Sequence, residues 1–403
     1  MFIDTIKHIS KRGLIIVINQ LSVLIAIPIL AARLDLEVFG QVAIGFVLVQ
    51  LSWVVSDWGI QHFSIEEWGK KIKQKEKNHF TTSIICLNFL ISLICLFGIF
   101  LLTCFQAIDF SYFYFMCLIP SIIMGGSYPL WFFQVNKSPQ DMILPTFFSR
   151  IIFLSIIYYY VVSNDSAYIA FLAQGINLSL ITIYSFFRLR FFYNFSWSNI
   201  YFSDVAWVEK KSRPFLINAI TNNQANTLWG FGLSIIGGPA AMAIYNLGDQ
   251  VYRAGGAITN IIAQSIRIHF ISKPLKELKF TILFFIILFF AVTVLGCFLT
   301  PYVVEKYFSN NYVPAIRVIQ VMMIAWGFHA IVKLLNYPIL AASHGVNWVN
   351  RITKYFLFIH VIFFILWSAY FNESLSMSVI YTSVIWLQMA VFIFYFIKSY
   401  RIK

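Results

Sequence analysis

Apolar stretches of about 20 residues, the length that carries a helix across a bilayer, follow one another along nearly the whole chain. Only short polar connections separate them. Of the 403 residues, 60% are hydrophobic and 11% are charged, which leaves too little polar surface to coat a soluble globule. The pattern therefore predicts an all-α membrane protein with about twelve transmembrane helices.

The polar connections bound the predicted spans. The first span follows Lys7, Lys11 and Arg12 and has no small-residue cleavage site after it, so we expect an uncleaved signal anchor. The predicted spans cover roughly residues 13–33, 38–60, 80–105, 110–134, 142–162, 167–187, 214–237, 240–266, 280–304, 314–341, 351–371 and 376–397.

Basic residues collect in alternate loops, as they do on the cytoplasmic side of membrane proteins. The basic loops include Lys70–Lys77, Arg188–Arg213 and the two ends of the chain, whereas the intervening loops hold few basic residues. Both termini are therefore predicted to be cytoplasmic. The net charge of +13 follows from this topology, which argues against nucleic acid as a partner and favours anionic inner-leaflet lipids.

The sequence carries no signature of an enzyme. It has no G-x-S-x-G elbow, no H-E-x-x-H and no Walker loop, and the loops opposite the basic side are too short for a catalytic domain. The five cysteines lie in apolar stretches without C-x-x-C spacing, so we predict no metal and no cofactor. The run Lys70–Lys77, interleaved with Glu66, Glu67 and Glu76, is typical of a solvated loop.

A weak internal repeat divides the chain near its middle. With a shift of about 200 residues, Gln41–Ile44 falls on Ala241–Ile244 and Gln50 falls on Gln250. Transporters place their binding sites at the interface of such repeats. The predicted domains are an N-terminal six-helix bundle over 1–187, a cytoplasmic linker over 188–213 and a C-terminal six-helix bundle over 214–403.

Charged residues inside the predicted spans are candidates for function, because a charge at bilayer depth is costly. Span eight carries Asn246, Asp249, Arg253, Asn260 and Gln264 within a stripe about 60° wide, which must face protein or a water-filled cavity. Within that stripe Asp249 and Arg253 are spaced i,i+4. They form either a structural ion pair along one helix or part of a lumen, and the two roles are compatible.

Spans five and ten carry the other two basic residues. In span ten, His329, Lys333 and Asn336 share one face, so His329 is a candidate contact for substrate or proton. Arg150 in span five has no acid within one helical turn, and its partner is either a ligand or Asp57 or a backbone carbonyl. The balance of these deep charges is basic, which favours an anion such as a pyrophosphate or an acidic sugar.

Two further features concern single spans. His360 in span eleven is read as a packing residue, because a lone intramembrane histidine more often packs than binds a ligand. Span four contains Gly125, Gly126 and Pro129, which predict a bent or broken helix.

Several motifs resemble the O-antigen flippases of the Wzx type, within the polysaccharide transporter group. Leu30–Leu34, Val38–Ala43 and Asp57–Gly59 are similar to the first two helices of that family. Pro129–Gln134, followed later by Arg150, is similar to its fourth and fifth helices, although Val135 stands where the family pattern has Gly.

The resemblance implies the fold of the multidrug and toxin extrusion (MATE) proteins, with two six-helix bundles around a central cavity. It implies flipping of an undecaprenyl-diphosphate-linked O-antigen oligosaccharide between the leaflets of a bacterial inner membrane. It also implies a cationic cavity, which corresponds here to Arg150, Arg253 and Lys333. Other membrane proteins of polysaccharide assembly are candidate partners.

Two other functions remain open from the sequence. A proton- or sodium-coupled exporter of small molecules would share the fold but is expected to carry more acidic groups in its cavity. A membrane polymerase or glycosyltransferase usually needs a substantial outward loop, which this chain lacks. Since no nucleotide site is visible, we expect transport to be driven by an ion gradient, with Asp249 and Asp57 as candidate coupling residues.

Overall fold

The computed structural model describes residues 2–71, 73–223, 225–270, 275–340 and 345–401. These residues form α-helices joined by short turns, with no β-strand in the described ranges. The all-α fold class predicted from the sequence is thus confirmed. The helices are α1 (Phe2–Arg33), α2 (Leu36–Asp57), α3 (Ile60–Trp68), α4 (Gln74–Cys104), α5 (Tyr112–Ser127), α6 (Leu130–Val135), α7 (Ile143–Tyr160), α8 (Tyr168–Phe192), α9 (Phe202–Asn223), α10 (Ala225–Ile236), α11 (Gly238–Phe270), α12 (Leu275–Tyr307), α13 (Ala315–Leu335), α14 (Val346–Tyr370) and α15 (Ser374–Arg401).

Ten helical segments of the described chain are long and apolar enough to cross a membrane. The predicted seventh and eighth spans, 214–237 and 240–266, are not among these ten. The eighth is nevertheless a continuous helix of 33 residues, α11, which extends about 50 Å. Its polar residues, among them Asp249 and Arg253, lower its hydropathy, and they are the residues that the sequence marks as functional.

The chain forms two compact units, one of residues 1–40 with 236–403 and one of residues 41–235. In the first unit, α1 packs along α11, and α13 packs against α11, α12 and α15. In the second unit, α8 packs against both α5 and α7. The domain division predicted from the repeat stays a prediction; helix α9 begins inside the segment expected to be the linker.

The break predicted in span four is confirmed. Helix α5 ends at Ser127, and α6 begins at Leu130 after Pro129. Proline disfavours helical backbone at the residue that precedes it, and this accounts for the extended conformation of Tyr128 before Pro129. Gly126 packs so closely that an added Cβ would lie 2.0 Å from Ser92 Oγ, so a larger residue would displace the Ser92 side chain.

An ion pair joins α8 to the turn between α6 and α7. Arg188 Nη2 donates to Asp141 Oδ2 at 2.7 Å, and the Tyr193 hydroxyl lies 2.9 Å from the same oxygen. The turn after α6, where Val135 replaces the glycine of the family pattern, places Lys137 at a φ of 55°. This left-handed residue turns the chain toward α7 without a glycine.

Candidate substrate and ion-coupling residues

Four of the six residues predicted as functional lie in the unit of residues 1–40 and 236–403. Arg253 Nε donates to Asp249 Oδ2 at 2.6 Å, one helical turn away on α11. The Asp249 side chain is 1% exposed and that of Arg253 is 11% exposed. The predicted i,i+4 pair is therefore formed and buried, in the geometry of a charge-assisted hydrogen bond.

A chain of hydrogen bonds begins beside this pair and crosses three helices. The Tyr381 hydroxyl of α15 donates to the Tyr252 hydroxyl of α11 at 2.9 Å, and the Tyr252 hydroxyl bonds to Nδ1 of His329 on α13. Because the Tyr252 hydroxyl accepts the hydrogen bond of Tyr381, its own O–H donates to Nδ1 in the neutral His329 tautomer that carries hydrogen on Nε2. The Tyr252 and His329 rings stack, with 16° between their planes.

Helix geometry places the remaining predicted residues beside this chain. Lys333 lies one helical turn from His329 on α13, and the His360 ring on α14 packs against Tyr381. Asp249 lies one turn from Tyr252 on α11. We call this group of buried and half-buried polar residues the α11 cluster; its members are Asp249, Tyr252, Arg253, His329, Lys333, His360 and Tyr381.

The structure corrects the membership of this site. His360 packs against Tyr381, as predicted for a packing residue, with ring centroids 5.4 Å apart, and this contact places it beside the hydrogen-bonded chain. The sequence did not single out Tyr252 or Tyr381. The available signal was a hydroxyl-bearing aromatic in the middle of a predicted span, which needs a partner when buried.

The rest of the predicted stripe on α11 is only partly buried. Asn246 is fully enclosed, whereas Asn260 is half-buried, and the side chain of Gln264 lies outside the described residues. On α13 the predicted face ends at Asn336, which is buried and begins a π-helix, Asn336–Leu340. Such π-helical turns are frequent at functional sites because they interrupt the regular hydrogen-bond ladder.

Arg150 and Asp57 lie in the other unit, residues 41–235. Arg150 is buried in the interior of α7, 7% exposed, and its guanidinium carbon lies 5.6 Å from the centroid of the Phe153 ring. Asp57 is half-buried at the end of α2, immediately before Trp58 and Gly59, which both have positive φ. The pairing of Arg150 with Asp57, one of the alternatives raised by the sequence, stays a prediction.

The α11 cluster has the chemistry of a proton or cation relay. Its carboxylate belongs to Asp249, and Tyr381, Tyr252 and His329 form a path of two hydrogen bonds beside it. Arg253 donates its hydrogen bond to this same carboxylate.

Replacing Tyr381 by Phe should lower the stability of the purified protein by about 1 kcal/mol, because the Tyr252 hydroxyl loses its donor. A thermal melt monitored by intrinsic fluorescence measures this effect, and Tyr355→Phe on the exposed face of α14 is the matched control. Equal melting of the Tyr381 variant and this control would remove Tyr381 from the cluster.

Sequence comparison identifies the region that carries the family pattern. A profile of the family described as polysaccharide biosynthesis protein matches residues 7–273, about two thirds of the chain. Comparison with curated protein sequences gave no match.

Structural comparison finds the same fold in membrane transporters. The lipid II flippase MurJ, in an inward closed conformation, aligns with a TM-score of 0.65 and 10% identity over 98% of this chain and 88% of that one. An inward-facing multidrug resistance transporter of the MATE family aligns with a TM-score of 0.63 and 10% identity, covering 96% of this chain and 94% of the other. A MATE transporter of Vibrio cholerae gives a TM-score of 0.55 at 12% identity, covering 99% and 97%. At these identities the likeness establishes the fold alone.

Proposed function

The chain belongs to the polysaccharide biosynthesis protein family, and from that premise we propose that it flips a lipid-linked oligosaccharide across the membrane. The substrate is an undecaprenyl-diphosphate-linked O-antigen unit, moved from the cytoplasmic to the periplasmic leaflet of a bacterial inner membrane. In this proposal both termini are cytoplasmic, and transport proceeds by alternating access. It is driven by an ion gradient through Asp249, with Asp57 as a second coupling residue.

The observation that carries the proposal is that basic residues outnumber acidic ones among the charged side chains in the interior of the predicted spans. Arg150 is buried in the unit of residues 41–235. In the other unit Arg253 and Lys333 are half-buried, and Asp249, the partner of Arg253, is buried. A membrane protein bears the cost of such charges when they serve a function. Guanidinium groups bind phosphate oxygens in a bidentate manner, so a diphosphate lipid suits this set better than a neutral or cationic molecule.

His329 and Lys333 supply the remaining contacts of the proposed substrate site. The neutral tautomer of His329 leaves an Nε2–H donor, and Lys333 on the same face of α13 adds a point charge. We assign them to the sugar-phosphate end of the substrate. This assignment supports one site that combines substrate contacts with the coupling carboxylate.

A second candidate function is export of small molecules coupled to protons or sodium. It is favoured by the likeness of the fold to MATE transporters, including the multidrug resistance transporter. The buried acidic group and the neighbouring tyrosine and histidine side chains would serve proton coupling in either function. The two functions differ in the cargo, and an assay of the cargo separates them.

The test is a flipping assay in proteoliposomes. A fluorescent undecaprenyl-diphosphate oligosaccharide is placed in both leaflets, and a membrane-impermeant lectin or periodate reports which fraction is accessible over time. The protein should raise the rate of exchange well above that of protein-free vesicles, in the presence of a pH or sodium gradient. Failure to move this lipid, together with gradient-driven efflux of a cationic dye, would replace the proposal by the exporter function.

A further inference from the structure

A lysine-lined cleft opens on the unit of residues 41–235. Its volume is about 630 Å³, within the range of small-molecule sites. The cleft lies between the start of α4, with the residues preceding it, and the start of α9. We name it the lysine cleft, and its charged and aromatic lining consists of Lys71, Lys73, Lys75, Glu76, His79, Phe80, Asp204 and Trp207.

Packing holds one of these lysines in place. Lys71 Nζ lies 5.8 Å from the centroid of the Phe80 ring and 5.6 Å from that of Trp207, so two aromatic faces position its charge. Phe63 packs against both rings, with centroids 5.8 Å from Phe80 and 5.9 Å from Trp207. The sequence pattern predicts a solvated loop here, but the aromatic core beneath it orders the start of the lysine run.

The two sides of the cleft are joined by a polar contact. His79 Nε2 on α4 lies 3.3 Å from Asp204 Oδ2 on α9, and the same oxygen accepts from the Tyr201 backbone N–H at 2.7 Å. The charge of Asp204 is therefore partly used in capping α9. Lys73 and Lys75 are exposed at the rim, with Glu76 beside them.

The surroundings of the cleft have the composition of a membrane interface. Helix α4 is one of the candidate spans, so its first turn lies near a membrane surface. Tyr201, Phe202 and Trp207 at the start of α9 are 76%, 81% and 40% exposed. Exposed tyrosine and tryptophan next to basic residues are typical of the headgroup level of a bilayer.

We propose that the lysine cleft binds the headgroup of an anionic phospholipid that carries a single phosphate and free hydroxyls, such as phosphatidylglycerol. Lys71, Lys73 and Lys75 contact the phosphate, and Glu76 accepts hydrogen bonds from the glycerol hydroxyls. The three lysines and the two carboxylates, Glu76 and Asp204, give the cleft a small positive charge. This charge matches a singly charged phosphodiester better than a diphosphate, because the additional negative charge of a diphosphate would be repelled by the two carboxylates. This lipid is a resident of the membrane and is distinct from the transported substrate.

Native mass spectrometry of the purified full-length protein tests the site, with phosphatidylglycerol and phosphatidylcholine as probes. The first should bind at least about tenfold more tightly, since each lysine near the phosphate contributes on the order of fivefold. The triple variant Lys71→Gln, Lys73→Gln and Lys75→Gln should lose this preference. A triple variant with the same charge change elsewhere, Lys137→Gln, Lys306→Gln and Lys354→Gln, should keep it.

Two further arms keep the test decisive. If the triple variant does not fold, the double variant Lys73→Gln and Lys75→Gln, confined to exposed side chains, should still lower the preference severalfold. Inorganic phosphate and pyrophosphate at millimolar concentration should not displace phosphatidylglycerol. Equal binding of both lipids, an unchanged preference in the folded lysine variants, or displacement by pyrophosphate would overturn the proposal. All three outcomes are independent of whether the flipping assay succeeds.

Discussion

Replacing Arg150 by Ala should abolish surface polysaccharide and reduce flipping in proteoliposomes by about 10- to 100-fold. The guanidinium is enclosed in the interior of α7, 7% exposed, and in the proposed function it bonds to the diphosphate. Hydrogen bonds to charged groups contribute about 1.5–3 kcal/mol each, which converts to this range. Arg150→Lys should retain part of the activity, because the charge remains while the bidentate geometry is lost.

The stability of a second variant distinguishes a functional role of Arg150 from a structural one. Arg150→Met keeps most of the side-chain volume and removes the charge. If the charge serves function and is costly to bury, this variant should melt at the same temperature as the parent or higher. A charge that holds the fold together should instead lower melting together with activity. Arg317→Ala, an exposed arginine at the start of α13, is the control for the loss of an arginine as such. Full flipping activity of Arg150→Ala would remove this residue from the substrate site.

Replacing Asp249 by Asn should make transport insensitive to the ion gradient while substrate binding persists. In the resting protein Arg253 holds this carboxylate at 2.6 Å, so coupling requires the pair to separate as the substrate phosphate occupies the arginine. The variant also leaves Arg253 buried without its charge partner. Breaking a buried pair in this way typically costs about 3–5 kcal/mol, and a large loss of stability is therefore expected as well.

The double variant Asp249→Asn with Arg253→Gln distinguishes coupling from structural compensation. It removes both charges, so most of the stability lost in the single variant should return. If the pair is purely structural, the double variant should regain gradient-driven transport along with stability. If Asp249 couples the ion, the recovered protein should bind lipid-linked oligosaccharide weakly and show no response to a pH or sodium gradient.

An exposed ion pair with the same spacing provides the matched control. Arg213 Nε lies 2.9 Å from Glu209 Oε1, also at i,i+4, and the Arg213 side chain is 67% exposed. Because exposed pairs contribute little to stability, Glu209→Gln should change neither melting nor gradient dependence measurably. A gradient response in Asp249→Asn equal to that of Glu209→Gln would show that Asp249 is a structural partner only.

Local sequence determined the features that need no long-range contact. A run of about 20 apolar residues predicts a spanning helix wherever it occurs, because the requirement concerns the segment alone. The break before Pro129 follows in the same way from the backbone limits that proline imposes on its neighbour. The Asp249–Arg253 pair was predictable because i,i+4 spacing brings the two side chains together on any α-helix.

The mean hydropathy of a segment predicts a span less directly than its position in the pattern of helices. Helix α11 formed where the sequence places a span, yet its polar residues keep it outside the set of ten apolar spans. The linker predicted over 188–213 stays a prediction; α8 ends and α9 begins within that segment.

Tertiary structure alone decided which distant side chains meet. Tyr252 lies 77 positions from His329 and 129 positions from Tyr381, and their contact depends on how α11, α13 and α15 are rotated about their axes. The lysine cleft similarly requires α4 and α9 to pack so that Lys71 reaches Trp207. Helix rotation and pairing are set by the sum of many small packing contacts over whole surfaces, and no single spacing in the sequence encodes that sum.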